Sequence, residues 1–315
     1  MSSPAVATRT GDAPIYSVRR RESLHILRGA LKTFRGATGA LLTLGVVGVA
    51  ALGPLLAPHG GTDLLGAPFQ KPGSDLPLGA DELGRDVLSR VLYGGWELLL
   101  VAAAGTALGI VVGTAAGVVA AYVRGSADAL IMRTVDVLLA FPQLVFVLLL
   151  VSVIGPKTWL LVVGVGLSHA PQVARVLRSA ALDVSERDYV KAVEILGVPP
   201  GRVMRREVVP SLITPLMVET GLRMTYSIII IAGLSFVGFG LQPPSPNWGL
   251  MINENRIGLT QNSWPVLAPA LLVALLTVGL NMLTDAIARV ALGVDRAERA
   301  IAAEALGAEP TVDVA

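Results

Sequence analysis

Six stretches of this 315-residue chain contain no Asp, Glu, Lys or Arg: Gly36–Thr62, Leu98–Val123, Val137–Pro156, Thr158–Ala174, Met224–Asn253 and Ile257–Thr284. No other property limits the fold so severely. A helix of about 20 apolar residues crosses roughly 30 Å of hydrocarbon, and inside that layer every backbone N–H and C=O must be satisfied by protein. Barrel strands would alternate apolar and polar residues over about ten positions, and these runs do not. The chain is 53% hydrophobic and 15% charged, against about 25% charged in a soluble domain. The runs predict an all-α membrane protein with six transmembrane helices. The fifth helix reaches back to about Ser211, and Thr158–Ala174, with 17 residues, sits near the lower length limit.

Orientation follows from the basic residues. Taking alternate connecting segments together, nineteen Lys and Arg fall on one side and five on the other, with Arg223 inside the fifth span. Basic residues concentrate on the cytoplasmic side, so both termini are expected there. The net charge of +2 hides this asymmetry, which points to membrane orientation and not to nucleic acid. The expected layout is a basic cytoplasmic tail over 1–36, a first span over 37–57, an extracytoplasmic loop over 58–96, a core over 97–294 containing a cytoplasmic segment 175–210, and a cytoplasmic tail over 295–315. The basic stretch before the first span is too long for a cleaved signal peptide, and its Arg19–Arg21 cluster suits anionic lipid headgroups. The chain has no Cys, which removes disulfides and thiolate metal sites.

Several features stand out along the spans. In the loop, Leu83, Val87, Leu88, Val91 and Leu92 recur at helical spacing against Arg85, Asp86 and Arg90, as in an amphipathic helix lying on the outer surface. Gly105, Gly109, Gly113 and Gly117 form one stripe on the second span, where a neighbouring backbone can come close. Arg133 and Asp136 are spaced to pair at the cytoplasmic boundary, and Pro142 should bend the third span. His169 reads as a hydrogen-bonding residue at the cytoplasmic end of span four. Glu219 and Arg223, four apart on span five, suit either a structural pair or a cavity lining. The loop "QPPSPNWG" (242–249) is stiff and places Trp248 at an interface.

The segment Arg175–Pro210 is built differently, with seven basic and five acidic residues. Ser185 followed by Asp188 resembles a capping box that opens a helix to about Leu196. Gly197 stands where a glycine ends a helix, Val198–Gly201 turn, and a second helix covers about 202–208. Tyr189, Val193, Leu196, Val203 and Met204 are too few to form a core, but they suffice for a surface that docks into another protein.

This segment resembles the EAA loop of permease subunits of bacterial ATP-binding cassette importers. Lys191, Ala192 and Val193 hold the E-A-A places, Gly197 the glycine, and "VVP" (208–210) the hydrophobic-proline end. "LGADELGRDVLSR" (78–90), "MRTVDVLLAFP" (132–142), "GLSFVGFGLQPPSPNWG" (233–249) and "NMLTDAIARVALG" (281–293) look like the C-type permease of peptide and nickel importers, over about Leu24 to Val294. The chain departs from the pattern at Lys191, which replaces an acidic residue, at Val193, and at Ile231, where glutamate is frequent; Glu219 and Arg223 look like additions. The resemblance implies a type I importer permease fold, a bacterial inner-membrane location, and ATPase coupling through Tyr189, Lys191, Ala192, Val193, Glu194, Gly197, Arg202 and Arg205. It further implies four kinds of partner: a second, B-type permease; two ATPase subunits or one fused ATPase; an extracytoplasmic substrate-binding protein; and membrane lipid. Di- or oligopeptides are the implied substrate, with nickel or another small solute second.

The residues add exclusions. The nearest approach to GxxxxGK[ST] is "GPKT" (155–158), which lacks the Gly-Lys pair, so ATP and Mg are expected on partner subunits and no cofactor on this chain. No metal-ligand cluster or nucleophile–His–acid set is evident among three histidines. A self-sufficient secondary transporter would need inverted repeats, and none is clear; a structural adaptor would leave the docking segment unexplained.

Overall fold

The charge-free runs fold as helices; Pro54, Pro171 and Pro269 stay inside theirs, whereas the chain breaks at Pro142. The computed structural model describes residues 15–293 apart from Ser245. Residues 1–14 of the 1–36 tail, the side chains of Arg19–Arg21 and the 295–315 tail lie outside the described residues. Helix α1 spans Ile15–Lys32 and α2 Phe34–Leu56. Thr33 punctuates them, its hydroxyl donating to Ala30 O and accepting from Gly36 N. Then follow α3 Val87–Tyr93, α4 Trp96–Val123, α5 Gly125–Leu139, α6 Gln143–Ile154, α7 Thr158–Ser185, α8 Asp188–Ile195, α9 Pro200–Val203, α10 Val209–Ser211, α11 Ile213–Phe236, α12 Trp248–Asn255 and α13 Trp264–Ala291.

Five stretches are long and apolar enough to cross a membrane: α2, Val87–Val123 (α3 and α4), α7, α11 and α13; the pair α5 and α6, bent by 82°, makes a sixth crossing if counted as one. The expected third span is therefore not a straight helix. Pro142 has no N–H to give and its ring excludes the preceding turn; α5 closes with Ala140 N–H bonded to Asp136 O, and α6 starts afresh behind Pro142. At 12 residues α6 is about 18 Å long at 1.5 Å per residue, short of a full crossing by itself.

Helix packing dictates why a crossing is needed there. The glycine stripe of α4 lies on α7: a Cβ added at Gly109 would sit 2.9 Å from Gly166 O, at Gly113 2.6 Å from Ala170 O, and at Gly117 2.5 Å from Ala174 O, while Gly105 faces Val165. Both numberings rise together, so α4 and α7 run parallel and residues 124–157 must carry the chain back across. Helices α2 and α13 meet antiparallel, Gly39 against Leu283 and Gly279 against Thr43. One core gathers Leu98, Leu161, Val165, Ile228, Ile231, Leu234, Trp248 and Leu276. Away from it Leu41, Leu44, Leu55, Val111, Val153 and Leu271 stay exposed, as helices in lipid require.

Charge-free runs locate helices better than they locate helix ends. Helix α7 continues past Ala174 to Ser185, and α11 stops at Phe236 although its run continues to Asn253. His169 consequently lies well inside α7, not at its end. Asp136 pairs with Arg175 at 2.5 Å in place of Arg133, because α5 lies alongside α7. Ser185 does not cap α8: it is the last residue of α7, and its hydroxyl donates back to Ala181 O at 2.7 Å.

Because the α4–α7 contact is backbone against backbone, Gly113→Ala and Gly117→Ala are each expected to cost about 1–3 kcal/mol. The check is the thermal unfolding midpoint in detergent. Gly45→Ala is the control, since a Cβ at Gly45 meets nothing within 4 Å; its midpoint should hold or rise slightly.

Candidate functional site

The segment 186–212 sits on the α4–α7 pair. Helix α8 starts after Arg187, without a side-chain cap, and ends in a Schellman turn. Gly197 N–H bonds Glu194 O and Val198 N–H bonds Val193 O, a pairing that requires the left-handed conformation at the residue after the cap; Gly197 has φ +76°. Pro200 opens α9 at its first position, where its missing N–H costs nothing. A π-helical turn, Met204–Val208, and α10 lead into α11. Val190, Val203, Val208 and Leu212 are buried against Val118 and Ala121 of α4 and Val173, Leu177, Ala181 and Val184 of α7. The segment is thus one rigid block with its two neighbouring helices.

This base changes which residues face outward. Val203 is fully buried, and Val193 and Met204 are partly buried in the same cluster, so they form the block's own base and not a docking face. Tyr189 is 36% exposed and its hydroxyl meets Ser211 Oγ at 2.9 Å. Ile195 and Leu196 point away, 85% and 80% exposed. Ile195 stood outside the sequence-level set, because periodicity cannot tell which apolar face the block uses for itself. Ala192, Glu194, Gly197, Arg202 and Arg205 are exposed as well.

Lys191 has a local role. Its ammonium lies 3.0 Å from Glu186 Oε2, and Glu186 also binds Arg124, the residue that ends α4. Hydrogen bonds from Arg124 and then Lys191, with their charges, hold the exposed Glu186 carboxyl below the ordinary range. A cavity of about 480 Å³ opens there, lined by Tyr122, Arg124, Glu186, Lys191, Glu194 and Val198.

A second constellation runs through the helix bundle. Arg223 donates to Glu219 at 3.0 Å and to Gln172 Oε1, and its guanidinium carbon lies 5.5 Å from the centroid of the Tyr226 ring. Gln172 Oε1 also accepts from Gln143 Nε2 at 3.0 Å. Gln143 Nε2 further reaches Ser168 O at 3.1 Å and lies 3.2 Å from His169 Nδ1. His169 Nε2 is 3.0 Å from Ser227 Oγ, which is 2.8 Å from Thr106 Oγ1. Helices α4, α6, α7 and α11 are therefore tied by one chain of polar side chains, with Glu219, Arg223, His169, Thr106 and Ser227 buried. The pair Glu219 and Arg223 answers its charges internally. Gln143, Gln172, Ser227 and Thr106 escaped sequence reasoning, which tracked only formal charge; neutral polar residues at interior positions were the available signal.

At the opposite end, the loop before α3 folds around an ion cluster. Asp81 Oδ2 accepts from Arg85 Nε at 2.6 Å and from Arg90, while both arginines reach Glu254 Oε2, at 3.3 and 3.1 Å. Asp81 is fully buried, Arg90 is 1% exposed and Arg85 8%. The expected amphipathic surface helix is corrected accordingly: only Val87–Tyr93 is helical, Leu83 is outside it, and Arg85 and Arg90 face inward because Asp81 and Glu254 receive them. Burial pushes the Asp81 carboxyl up, but the backbone N–H of Arg85 and the Arg90 and Arg85 guanidiniums outweigh it and leave it lowered. Trp248 is buried, not at an interface, and donates to Val91 O at 2.9 Å. Asn262 Nδ2 donates to Gln70 O and Leu78 O, fastening the same loop.

With this geometry established, comparison with known proteins is informative. The family model of the binding-protein-dependent transport system inner membrane component matches residues 109–291. The chain is 33% identical over 259 residues to the di/tripeptide transport system permease protein DppC of Pseudomonas aeruginosa, covering 80% of this chain and 86% of that protein. It is 34% identical over 286 residues to the probable peptide ABC transporter permease protein y4tQ of Sinorhizobium fredii, covering 90% and 92%. A dipeptide transport system permease protein DppC of Alkalihalophilus pseudofirmus is 28% identical over 217 residues, covering 69% and 71%.

Removing one member of a buried ion pair costs about 3–5 kcal/mol, so Asp81→Asn should lower the detergent unfolding midpoint far more than Asp63→Asn in the same loop. The depressed carboxyl also sets a pH dependence. The stability that Asp81 contributes is present above its ordinary value of 3.8 and is lost as the pH falls below it through the folded-state value. Unfolding measured against pH should show this acid loss in the parent protein and not in the Asn variant.

Proposed function

We propose the function from one premise: the chain belongs to the binding-protein-dependent transport system inner membrane component family, and is thus a multi-pass inner-membrane transport permease. In our reading it forms the translocation path for di- or oligopeptides together with a second, B-type permease. Two ATPase subunits, or one fused ATPase, bind the end that carries residues 186–212, and a substrate-binding protein delivers peptide at the other. ATP and Mg are held by the ATPase subunits, and this chain hydrolyses nothing. The relatives named for di/tripeptide and peptide transport support the substrate class. The basic residues concentrated on the 186–212 side support a cytoplasmic location for that end and for both termini.

The observation that carries the coupling role is the exposed apolar tip, Ile195 and Leu196, on a block rigidly packed onto α4 and α7 and continuous with α11. Large apolar side chains exposed beyond the bundle ask for a protein cover. A packed block also transmits rotation where a flexible linker would absorb it. Exposed Ala192, Glu194, Arg202 and Arg205 would rim that contact. Lys191, where an acidic residue is usual, pairs with Glu186, which also binds Arg124, so it ties α8 to the end of α4 at the surface.

Leu196→Asp should reduce recovery of the ATPase with the affinity-purified permease by about tenfold or more, the scale of a lost interface anchor, while membrane insertion persists. Unchanged recovery would remove the apolar tip from the contact.

A further inference from the structure

Two helices lead into and out of the 186–212 block: α7 before it and α11 after it. A rotation of the block reaches the rest of the bundle through them. The bent pair is not continuous with either. Helix α6 begins at Gln143, directly behind the break at Pro142, and its first side chain turns back to α7. There Gln143 Nε2 meets Ser168 O, His169 Nδ1 and Gln172 Oε1. Gln172 Oε1 in turn receives Arg223 of α11. One oxygen, on α7, thus accepts from α6 and from α11 together.

We propose that Gln172 is a positioning residue for transport, the shared acceptor that gears the bent pair α5–α6 to α7 and α11; this rests on the permease reading above. The chemistry favours this side chain over its neighbours. An amide oxygen has two lone pairs, enough for Gln143 and Arg223 at once, and its removal takes from both donors the one partner they share. Gln143 is the only α6 side chain in this polar chain among the described residues. Without Gln172 its hold on α7 shrinks to Ser168 O and His169. Arg223 keeps Glu219, so the α11 charge pair survives while its tie to α6 does not. The connection is a pair of discrete bonds between rigid helices, which either hold or break, and helix shifts of an ångström or two decide which.

The substitutions separate the acceptor from mere bulk. Gln172→Met keeps the length and flexibility and removes the oxygen. Gln172→Glu keeps an acceptor for both donors, whether ionised or protonated. The complete transporter, with its companion subunits, is reconstituted in proteoliposomes, and labelled dialanine imported per ATP hydrolysed is measured. In the Met variant this ratio is expected to fall about fivefold or more, the lower range of measured coupling between sites, with ATP hydrolysis retained; the Glu variant restores it. Equal ratios in parent and Met variant, or equal losses in Met and Glu, overturn the proposal. A second readout does not depend on the solute. The chain has no Cys, so spin labels at Leu149→Cys on α6 and Ile229→Cys on α11 report their separation with and without trapped nucleotide. The separation should change in the parent and Glu forms and stay fixed in the Met form. A parent transporter that hydrolyses ATP without moving dialanine defeats the substrate reading, while the labels still decide the role of Gln172; labels that nucleotide never moves in the parent overturn that role. If the Met variant does not assemble, Gln143→Met, which removes the same link from the α6 side, must reproduce the loss or the proposal falls.

Discussion

The backbone-to-backbone contact of α4 with α7 is the constraint from which the remaining architecture follows. Of four glycines at four-residue intervals, Gly109, Gly113 and Gly117 bring the carbonyls of Gly166, Ala170 and Ala174 to distances no Cβ would tolerate, and Gly105 admits the side chain of Val165. In lipid, helices gain little from hiding apolar surface, and close approach supplies dispersion that leucine against lipid does not. Since the two helices run parallel, the chain between them has to recross, and the bent pair performs that return. The same contact sets Val173, Leu177, Ala181 and Val184 of α7 beside Val118 and Ala121 of α4, the floor on which the 186–212 block rests.

Short hydroxyl side chains in this bundle mostly bond back to their own helix, whereas Gln143, Gln172, His169 and Arg223 make joints between helices. An ionisable group would be costly alone in hydrocarbon, and the long polar side chains here meet one another: Glu219 with Arg223, His169 with Ser227, Gln143 with Gln172. At the opposite end the same rule, in a buried loop, gives the Asp81–Arg85–Arg90–Glu254 cluster. Both include connections across long sequence separations, Gln143 to Gln172, His169 to Ser227, Arg223 to Gln172 and the two arginines to Glu254, between elements that apolar packing would leave free to slide. The 186–212 block is different in kind. Its joint to the bundle is apolar, its exposed tip is apolar, and its charges, Glu186 with Lys191 and Arg124, lie at the seam.

Much of this could be read before any coordinates. Helix-forming runs, the glycine stripe, the break at Pro142, the turn at Gly197 and the family likeness were all visible, because each rests on local chemistry: backbone satisfaction, a missing Cβ, a missing N–H, a left-handed φ. The errors share another cause. Ser185 reads as a cap from its spacing to Asp188, but it is the last residue of α7, and Arg187 stands before α8. Arg133 was paired with Asp136 by spacing, yet Arg175 approaches from a neighbouring helix. Arg85 and Arg90 were assigned to water by the amphipathic pattern, although Glu254, far along the chain, was waiting for them. Val203 reads as an outward-facing residue by its periodicity, yet it is buried in the base of the block, and Ile195 is exposed in its place.

What the residues by themselves determined is the medium and the kind of element: uncharged runs of spanning length can only be helices in lipid, and glycine or proline at set positions fixes where such helices touch or stop. What tertiary structure alone decided is pairing. Whether a charge faces solvent, a partner helix or a buried counter-ion depends on which distant element arrives beside it, and no periodicity within one helix encodes that arrival. Gln172 is the clearest instance, an unremarked amide until folding set Gln143 and Arg223 on either side of its oxygen.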